Sequence, residues 1–481
     1  MRLRKVQRYL LAAGGLALIL VLVMLLSLAV AQGPDATLRV VRGGLTQGRD
    51  SAVAVWRRIE LGLARRDQAD LQLTAAADAF EFHNYGIEQQ GGQGRGRVLR
   101  VGPGRDYATP SAAAAAASDG DIIEIAAGTY HGDTTMWKRN DLIIRAVGGV
   151  AHLDASDTAL IQDKAIWLVR GSNIRVENIE FSHAVSRDRN GAGIRVEGDG
   201  LYVLACFFHD NETGILTNSL PQAHLRVEHS EFARNGHDDG QAHQIYVNQF
   251  AEFSARFNYI HDTHVGSAIK SRARVNRIAF NRIVDGALGS SNYAIDLSDG
   301  GTAYVVGNTI EHGPRSGNGN MIMFAAERAG RVDDELFVVH NTLVSDRHFA
   351  TFVANRGAGT GYLYNNLLIG DADFAQGRVA AVGNVATKHG LLRWSNDTLG
   401  GIEGSHANRL VDEPGIVDRA QLDYRLRADS PAIDAGREID AATAPELVPT
   451  QEYVHPCAAR ERVVSGLPDA GAEEFSAPAA P

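Results

Sequence analysis

The feature that most limits what this chain can fold into is a short pattern that returns between about Asn173 and Gly370. Two or three apolar residues lead to an Asn, and apolar-rich positions follow it. The pattern reads RVENIEF at Asn178, ARFNYI at Asn258, IAFNRI at Asn281, VVGNTI at Asn308, VVHNTL at Asn341 and YLYNNLLI at Asn366. Cys206 (VLACFF) and Ser230 (VEHSEF) hold the same slot in two repeats that lack the Asn. Successive slots fall 28, 24, 28, 23, 27, 33 and 25 residues apart. A period in the twenties, made of short β-type runs, indicates a repeat array whose units stack on one another. Helical repeats would carry a 3.6-residue apolar period over about ten residues or more, and none does so here.

Each repeat holds a second short strand after its slot: GIRVEG at Ile194, GILTN at Ile215, QIYVN at Ile245, AIKSR at Ile269, AIDLS at Ile295 and MIMFA at Ile322. Such runs, joined by turns rich in Gly, Asn and Asp, wind into coils whose strands pair with their equivalents roughly 4.8 Å above and below. An Asn at one bend of every coil can bond to the backbone and amide of the next coil, a ladder satisfying groups that are costly to bury unpaired. Cys and Ser suit the slot because they are small and tolerate burial. The repeats resemble the right-handed parallel β-helix proteins of the pectin-lyase-like superfamily. This resemblance implies an all-β, single-stranded right-handed parallel β-helix with a short N-terminal helical segment and terminal caps.

The start of the chain reads differently. Arg2, Arg4, Lys5 and Arg8 come without an acid, an apolar run follows from Leu10 to about Val30, and Ala29-Val30-Ala31 precedes Gln32. That is the plan of a signal peptide over residues 1–31, although the run is also long enough to span a bilayer. Residues 10–30 are therefore either removed or kept as an anchor, and in both cases the body is exported, periplasmic or extracellular, with the basic end left inside. Residues 32–97 form the next region, in which 50–82 carries amphipathic helical spacing and GGQGRGR (91–97) is a linker.

The solenoid is expected over 98–400. Its opening, VLRVGPGRDYATPSAAAAAASDGDIIEI, places an Ala-rich helix where it can cover the bare end of the first coil. Residues 401–481 are read as a C-terminal cap, DYRLRADSPAIDAG and DAGAEEF, followed by a tail. The formal charge of −10 becomes −14 when the four N-terminal cations are removed, and so acidic a body argues against nucleic acid as a partner. Two cysteines, Cys206 and Cys457, are too few for a disulfide framework, and Cys206 is expected to be a buried free thiol.

Side chains on a strand alternate between interior and solvent. With the Ile of each second strand inward, the outward positions form a strip: Arg195 and Glu197, Leu216 and Asn218, Tyr246 and Asn248, Lys270 and Arg272, Asp296 and Ser298, Met323 and Ala325. The turns beside it add His237, Asp238, Asp239, His243 and His264. Tyr, Lys, Arg and His in one row suit an anionic polysaccharide. In lyase chemistry a base removes the C5 proton of a uronic acid while a cation neutralises its carboxylate. On this reading Lys270 is the base if Arg272 and burial depress its pKa, Arg272 neutralises the carboxylate, and Tyr246 or His243 protonates the leaving oxygen. Asp238, Asp239, His264 and Asp296 contribute to substrate binding.

The run AIKSRA around Lys270 resembles the corresponding segment of the chondroitinase B and alginate lyase β-helix family, a likeness that implies the Lys base. Val265 stands where that family has a calcium-binding Glu, and Asp296 where it has a catalytic Arg. No metal ligands are therefore assigned, calcium having no support from these residues. The pair Asp238-Asp239 offers a second enzyme reading, that of a polygalacturonase-like hydrolase using paired carboxylates. The 17 His residues form no metal-ligand motif in sequence. The expected function is action on an acidic polysaccharide or other envelope glycan, by β-elimination or C5 epimerisation. The alternative is a non-catalytic glycan-binding or structural protein of the cell envelope.

Overall fold

The computed structural model describes residues 96–328, 334–387 and 405–476, all within one compact unit, Asn84–Pro481. The apolar run at 10–30, the amphipathic stretch at 50–82 and most of the Gly-rich linker lie outside the described residues. Among the described residues no helix is long and apolar enough to cross a membrane.

One coil shows the plan. Strand Ile174–Glu177 is followed by a bend at Asn178, strand Ile179–Ser182, a loop, and strand Ala192–Val196. The next coil begins at Leu201, which pairs in parallel with Ile174. Three parallel sheets result, one before the slot, one after it, and one containing the Ile-led strands. The parallel register is regular: Phe208 pairs with Phe181 and Phe232, and Ile215 pairs with Ile194 and Ile245. Because equivalent residues recur at strand spacing, like side chains stack inside the coil. Ring centroids run 5.2 Å from Trp137 to Trp167, 5.0 Å on to Phe181, 4.9 Å to Phe208 and 4.8 Å to Phe232.

The slot forms the expected ladder. Asn258, Asn281, Asn308 and Asn341 each offer the backbone N–H to the side-chain oxygen of the next slot Asn at 2.9–3.0 Å, and each Nδ2 donates to that same oxygen at 2.9–3.0 Å. The side chains reach backward as well, Asn308 Nδ2 donating to Ile278 O at 2.8 Å. Ser230 continues the ladder, its Oγ accepting from Cys206 N at 3.1 Å. Two further rungs, Asn384 and Asn408, extend it beyond Asn366.

Asn178 is not a rung. It occupies the left-handed bend, with φ 57°, which Ala205, His229, Phe257 and Phe280 fill in later coils and Gly307 and Gly383 fill with glycine. Its slot neighbour is buried Ile179, because Glu180 pairs with Phe207 and so sets Ile179 beside Cys206. The repeat thus starts one position later in this coil than the sequence pattern suggests.

The N-terminal end of the stack is covered. The helix Pro110–Ala116 buries Pro110 and Ala113, and the Thr109 side chain accepts from Ala112 N at its first turn. The last strand to join the stack, Arg409–Val411, pairs with Val385–Thr387. The remaining described chain packs along the outside of the stack. Ile416, Tyr424, Leu426 and Ala432 pack on Val344, Leu367 and Ile369, and the segment then runs back along the body until Cys457 Sγ reaches Ser230 O at 3.4 Å. Both thiols are free and buried, and burial pushes Cys206 up to about 12.

Candidate functional site

The Ile-led strands carry the strip in the expected register. Arg195, Leu216, Tyr246, Lys270, Asp296 and Met323 lie side by side on successive coils. Several positions differ from the expected exposure: Leu216, Asp296 and Met323 are buried, and Ser298 and Ala325 are fully buried. Ala325 takes a left-handed φ of 57° and donates its N–H to Leu297 O at 2.9 Å. This folds the chain back over the strip, where Glu327 N donates to Ser298 O at 2.9 Å.

Glu327 organises what is left exposed. Its Oε1 lies 2.7 Å from Lys270 Nζ and its Oε2 accepts from Arg272 Nη2. Arg272 also donates through Nη1 to Asp299 Oδ1 at 2.6 Å and through Nε to Tyr246 Oη at 3.2 Å. Lys270 Nζ pairs with Asp296 Oδ2 at 3.1 Å and stands 5.8 Å over the Tyr246 ring. Lys270 and Arg272 are thus two cations bridged by one carboxylate, and the Glu327 side chain remains 45% exposed.

The electrostatics correct the role expected of Lys270. Burial pulls its pKa down, but Asp296 and Glu327 outweigh burial and raise it above the ordinary lysine value. A lysine held in this way is a fixed cation rather than a base. Burial lifts Asp296 above the usual carboxylate range against the pull of Lys270, and the same two cations together hold Glu327 below it. His243 is buried, accepts from Ser267 N at Nδ1 (2.9 Å), and is pushed down to about 3, chiefly by burial and then by Lys270 and Arg272. It is neutral across the working range, with its ring edge-on to Tyr246 at 4.9 Å. His243 therefore packs behind the strip.

The loop residues separate from this cluster. Asp238, 86% exposed, pairs with His264 Nε2 at 2.7 Å. Asp239 accepts from Gln241 N at 3.0 Å and faces His237 and Arg189. Their partners belong to the loops and not to the Lys270 group, and the two carboxylates turn to different partners.

Two arrangements escaped the sequence reading. On the sheet after the slot, His152 Nε2 and His209 Nε2 lie 3.6 Å and 2.8 Å from Glu180 Oε1. These three side chains come from three coils, so no short motif announces them. On the sheet before the slot, one outward row runs Arg175, Tyr202, Arg226, Ser254, Arg277, Tyr304, Phe337, Tyr362. Arg175 and Arg226 lie 4.9 and 4.8 Å from the Tyr202 ring centre beside a surface cavity of about 410 Å³. Tyr304, Phe337 and Tyr362 stack at 5.4 and 5.3 Å, and Ile439, Ala444 and Leu447 of the C-terminal segment pack against the Tyr304–Phe337 end.

Residues 146–310 match the family described as a right-handed beta helix region. No curated protein matches the chain in sequence. Among solved structures, the pectate lyase Pel9A aligns with a TM-score of 0.54 at 15% identity, over 79% of this chain and 97% of its own, a likeness of fold alone. A pectin methylesterase from Aspergillus niger, 12% identical over 74% of this chain and 95% of its own, gives a TM-score of 0.27 and carries no weight. Parallel pairing coil upon coil, the Asn ladder and the match over residues 146–310 together give the chain a right-handed parallel β-helix, the fold it shares with the pectate lyase Pel9A.

Proposed function

We propose that this protein acts on an acidic polysaccharide at the Tyr246–Lys270–Arg272 strip, by β-elimination or C5 epimerisation. The observation that carries the reading is the position of Glu327. Its half-exposed carboxylate lies across Lys270 and Arg272, where a uronate carboxylate entering from solvent would find the same two cations. Neutralising that carboxylate is what makes its C5 proton removable. Tyr246, whose Oη accepts from Arg272 Nε, is the side chain on this fork suited to moving a proton. In elimination Tyr246 Oη, as the tyrosinate, takes the C5 proton, the C4–O bond breaks with its electron pair leaving on the oxygen, and Tyr246 Oη gives the proton to that oxygen. In epimerisation Tyr246 takes the C5 proton from one face, water delivers a proton to the other, and the hydroxide so formed takes up the proton held on Tyr246. The basic and apolar start of the chain, Arg2 to Val30, supports export, as a cleaved leader or a retained anchor.

The test is incubation of the full-length chain with alginate, pectate, chondroitin and heparin-type polymers. Ultraviolet absorbance of unsaturated uronate reports elimination, and proton NMR of the sugar reports inversion at C5. Product that vanishes in Tyr246→Phe supports the assignment. Absence of both products and of binding across the panel sinks it.

A second reading, non-catalytic glycan binding, is favoured by the row of arginines and rings on the sheet before the slot. Guanidinium groups and ring faces repeated at coil spacing suit an anionic polymer lying along the stack. Polymer binding without either product, weakened by Tyr202→Ala and not by Tyr246→Phe, would favour that reading.

A further inference from the structure

We infer that His152, Glu180 and His209 form a binding site for a divalent transition-metal ion, with Zn²⁺ the best chemical fit. Their ligand atoms, His152 Nε2, Glu180 Oε1 and His209 Nε2, all lie within 4.8 Å of one another. Neighbouring ligands in a tetrahedral zinc shell with bonds of about 2.0–2.1 Å sit roughly 3.3 Å apart. The 3.6 Å and 2.8 Å contacts to Glu180 bracket that spacing and close on it with shifts of about half an ångström, while the two imidazole nitrogens, within 4.8 Å of each other, need at most about 1.5 Å. Two imidazoles and one carboxylate suit zinc, whereas calcium and magnesium select oxygen ligands.

The surroundings favour the same assignment. His209 Nδ1 bonds to Asp210 Oδ2 at 2.6 Å, and Arg234 fixes that carboxylate through Nε at 2.9 Å and Nη2 at 2.7 Å. A carboxylate behind the ring nitrogen that faces away from the ion is the usual outer partner of a metal-binding imidazole. His152 Nε2 also meets Ser182 Oγ at 2.7 Å, a hydroxyl the ion would replace. Asp154, between His131 and His183 at 3.1 and 2.9 Å, adds negative charge at the rim. His152 and Glu180 are directly paired across adjacent coils, and Ser182 and His209 across the next, so the ligands project from rigid strands. The side chains of His152, Glu180 and His209 keep 24, 18 and 11% of their surface open to solvent, enough for an ion to enter.

The molecule supplies its own control. Two coils on, His261 repeats the arrangement of His209, with Glu231 of the preceding coil at 3.0 Å and its own Asp262 at 2.7 Å. Its register places Phe207 beside Glu231, where the first group has His152 beside Glu180. A Glu–His–Asp triad is thus a structural device of this sheet, and the second imidazole distinguishes the site from it.

The experiment uses the full-length chain, stripped with chelator and dialysed. Zn²⁺ is titrated calorimetrically, and Co²⁺ is added as a probe whose visible bands report nitrogen and oxygen ligation. One equivalent should bind to the wild type. Affinity should fall at least roughly tenfold in His152→Phe, which installs the residue that the control triad tolerates, and in Glu180→Gln, which keeps the shape. His261→Asn should bind as the wild type does. Circular dichroism identifies any variant that fails to fold, and the remaining one then decides. No stoichiometric uptake by the wild type, or undiminished uptake in a folded His152→Phe or Glu180→Gln chain, overturns the assignment.

Discussion

Glu327 Oε1 lies 2.7 Å from Lys270 Nζ although 57 residues separate them in sequence. The contact arises because Lys270 and Asp296 are register partners, while Glu327 follows the strand one coil further on and folds back over both. A strip that would otherwise present two cations to solvent therefore carries its own carboxylate. On the proposed function a polyanion would displace that carboxylate or share it, so Glu327 would set the strength of binding.

Glu327→Gln should accordingly bind uronate polymers more tightly, by roughly three- to tenfold, since a like-charge competitor is lost while the cations stay. Its effect on folding should be small, within about 1 kcal/mol, because the side chain is half exposed and solvent screens the pairing. Affinity electrophoresis in polymer-containing gels and urea unfolding measure the two effects. Weaker polymer binding in the variant would mean that Glu327 contacts the ligand rather than competing with it.

Tyr246 and Arg272 should separate proton transfer from charge. Tyr246→Phe keeps the ring against His243 and removes only the hydroxyl, so turnover should fall by about 10²–10⁴ with little change in KM. Arg272→Lys keeps the charge but cannot reach Tyr246, Asp299 and Glu327 together from one planar group, and it should weaken both binding and turnover. Steady-state kinetics on whichever polymer gives product distinguishes the two. Equal loss of KM and turnover in Tyr246→Phe would make the tyrosine a binding group.

The stack was largely legible because its signals are local. A period of two within each strand and a recurring slot are visible in a single sequence, and the column from Ile194 to Ile322 falls in the register those signals imply. Asn178 misled because an Asn is equally at home at a left-handed bend and in a ladder slot, and only its partner in the next coil separates the two. Asn384 and Asn408 were missed because the coil joining Asn366 to Asn384 is only 18 residues long. The site was less legible for a different reason. Which charges meet depends on how loops fold across coils, so Lys270 reads as a base in isolation and becomes a fixed cation once Asp296 and Glu327 arrive. His152, Glu180 and His209 meet only because coil lengths bring them into register.

The ladder itself can be tested at Asn308. Its Oδ1 accepts from both Asn281 N and Asn281 Nδ2 at 2.9 Å, and its Nδ2 donates to Ile278 O. Asn308→Ala leaves those buried groups unpaired and should destabilise the chain by about 3 kcal/mol. Asn308→Ser should cost less, because Ser230 already serves in this slot by accepting from Cys206 N and donating to Glu228 O. Urea denaturation of the three chains ranks them, and a Ser variant no better than Ala would show that the amide's reach to the neighbouring coil is indispensable.

His261 makes one contribution to stability depend on pH. Burial alone would lower its pKa, but hydrogen bonds to Asp262 and Glu231 outweigh burial and raise it. A histidine whose folded pKa exceeds its unfolded value of about 6.5 stabilises the fold fully below that value, and the contribution is lost as pH rises through the folded pKa. His209 acts in the same sense. Asp210 acts in the opposite one: burial opposes ionisation, yet His209 and Arg234 hold its carboxyl below the usual range, so its contribution is present at neutral pH and lost only in strong acid. The His261 contribution should therefore be complete in mild acid and decline as pH rises through the folded pKa, whereas buried His243, His312 and His340, each pushed down to about 3, act in the opposite sense and cost stability as pH falls below about 6.5. His261→Gln should lower stability at about pH 5 more than at about pH 9, so that the difference between the two chains shrinks as pH rises. Urea unfolding across this range gives both curves. An identical slope in the wild type and in His261→Gln would mean that the ring is neutral between its two carboxylates and that the fold gains nothing from its charge.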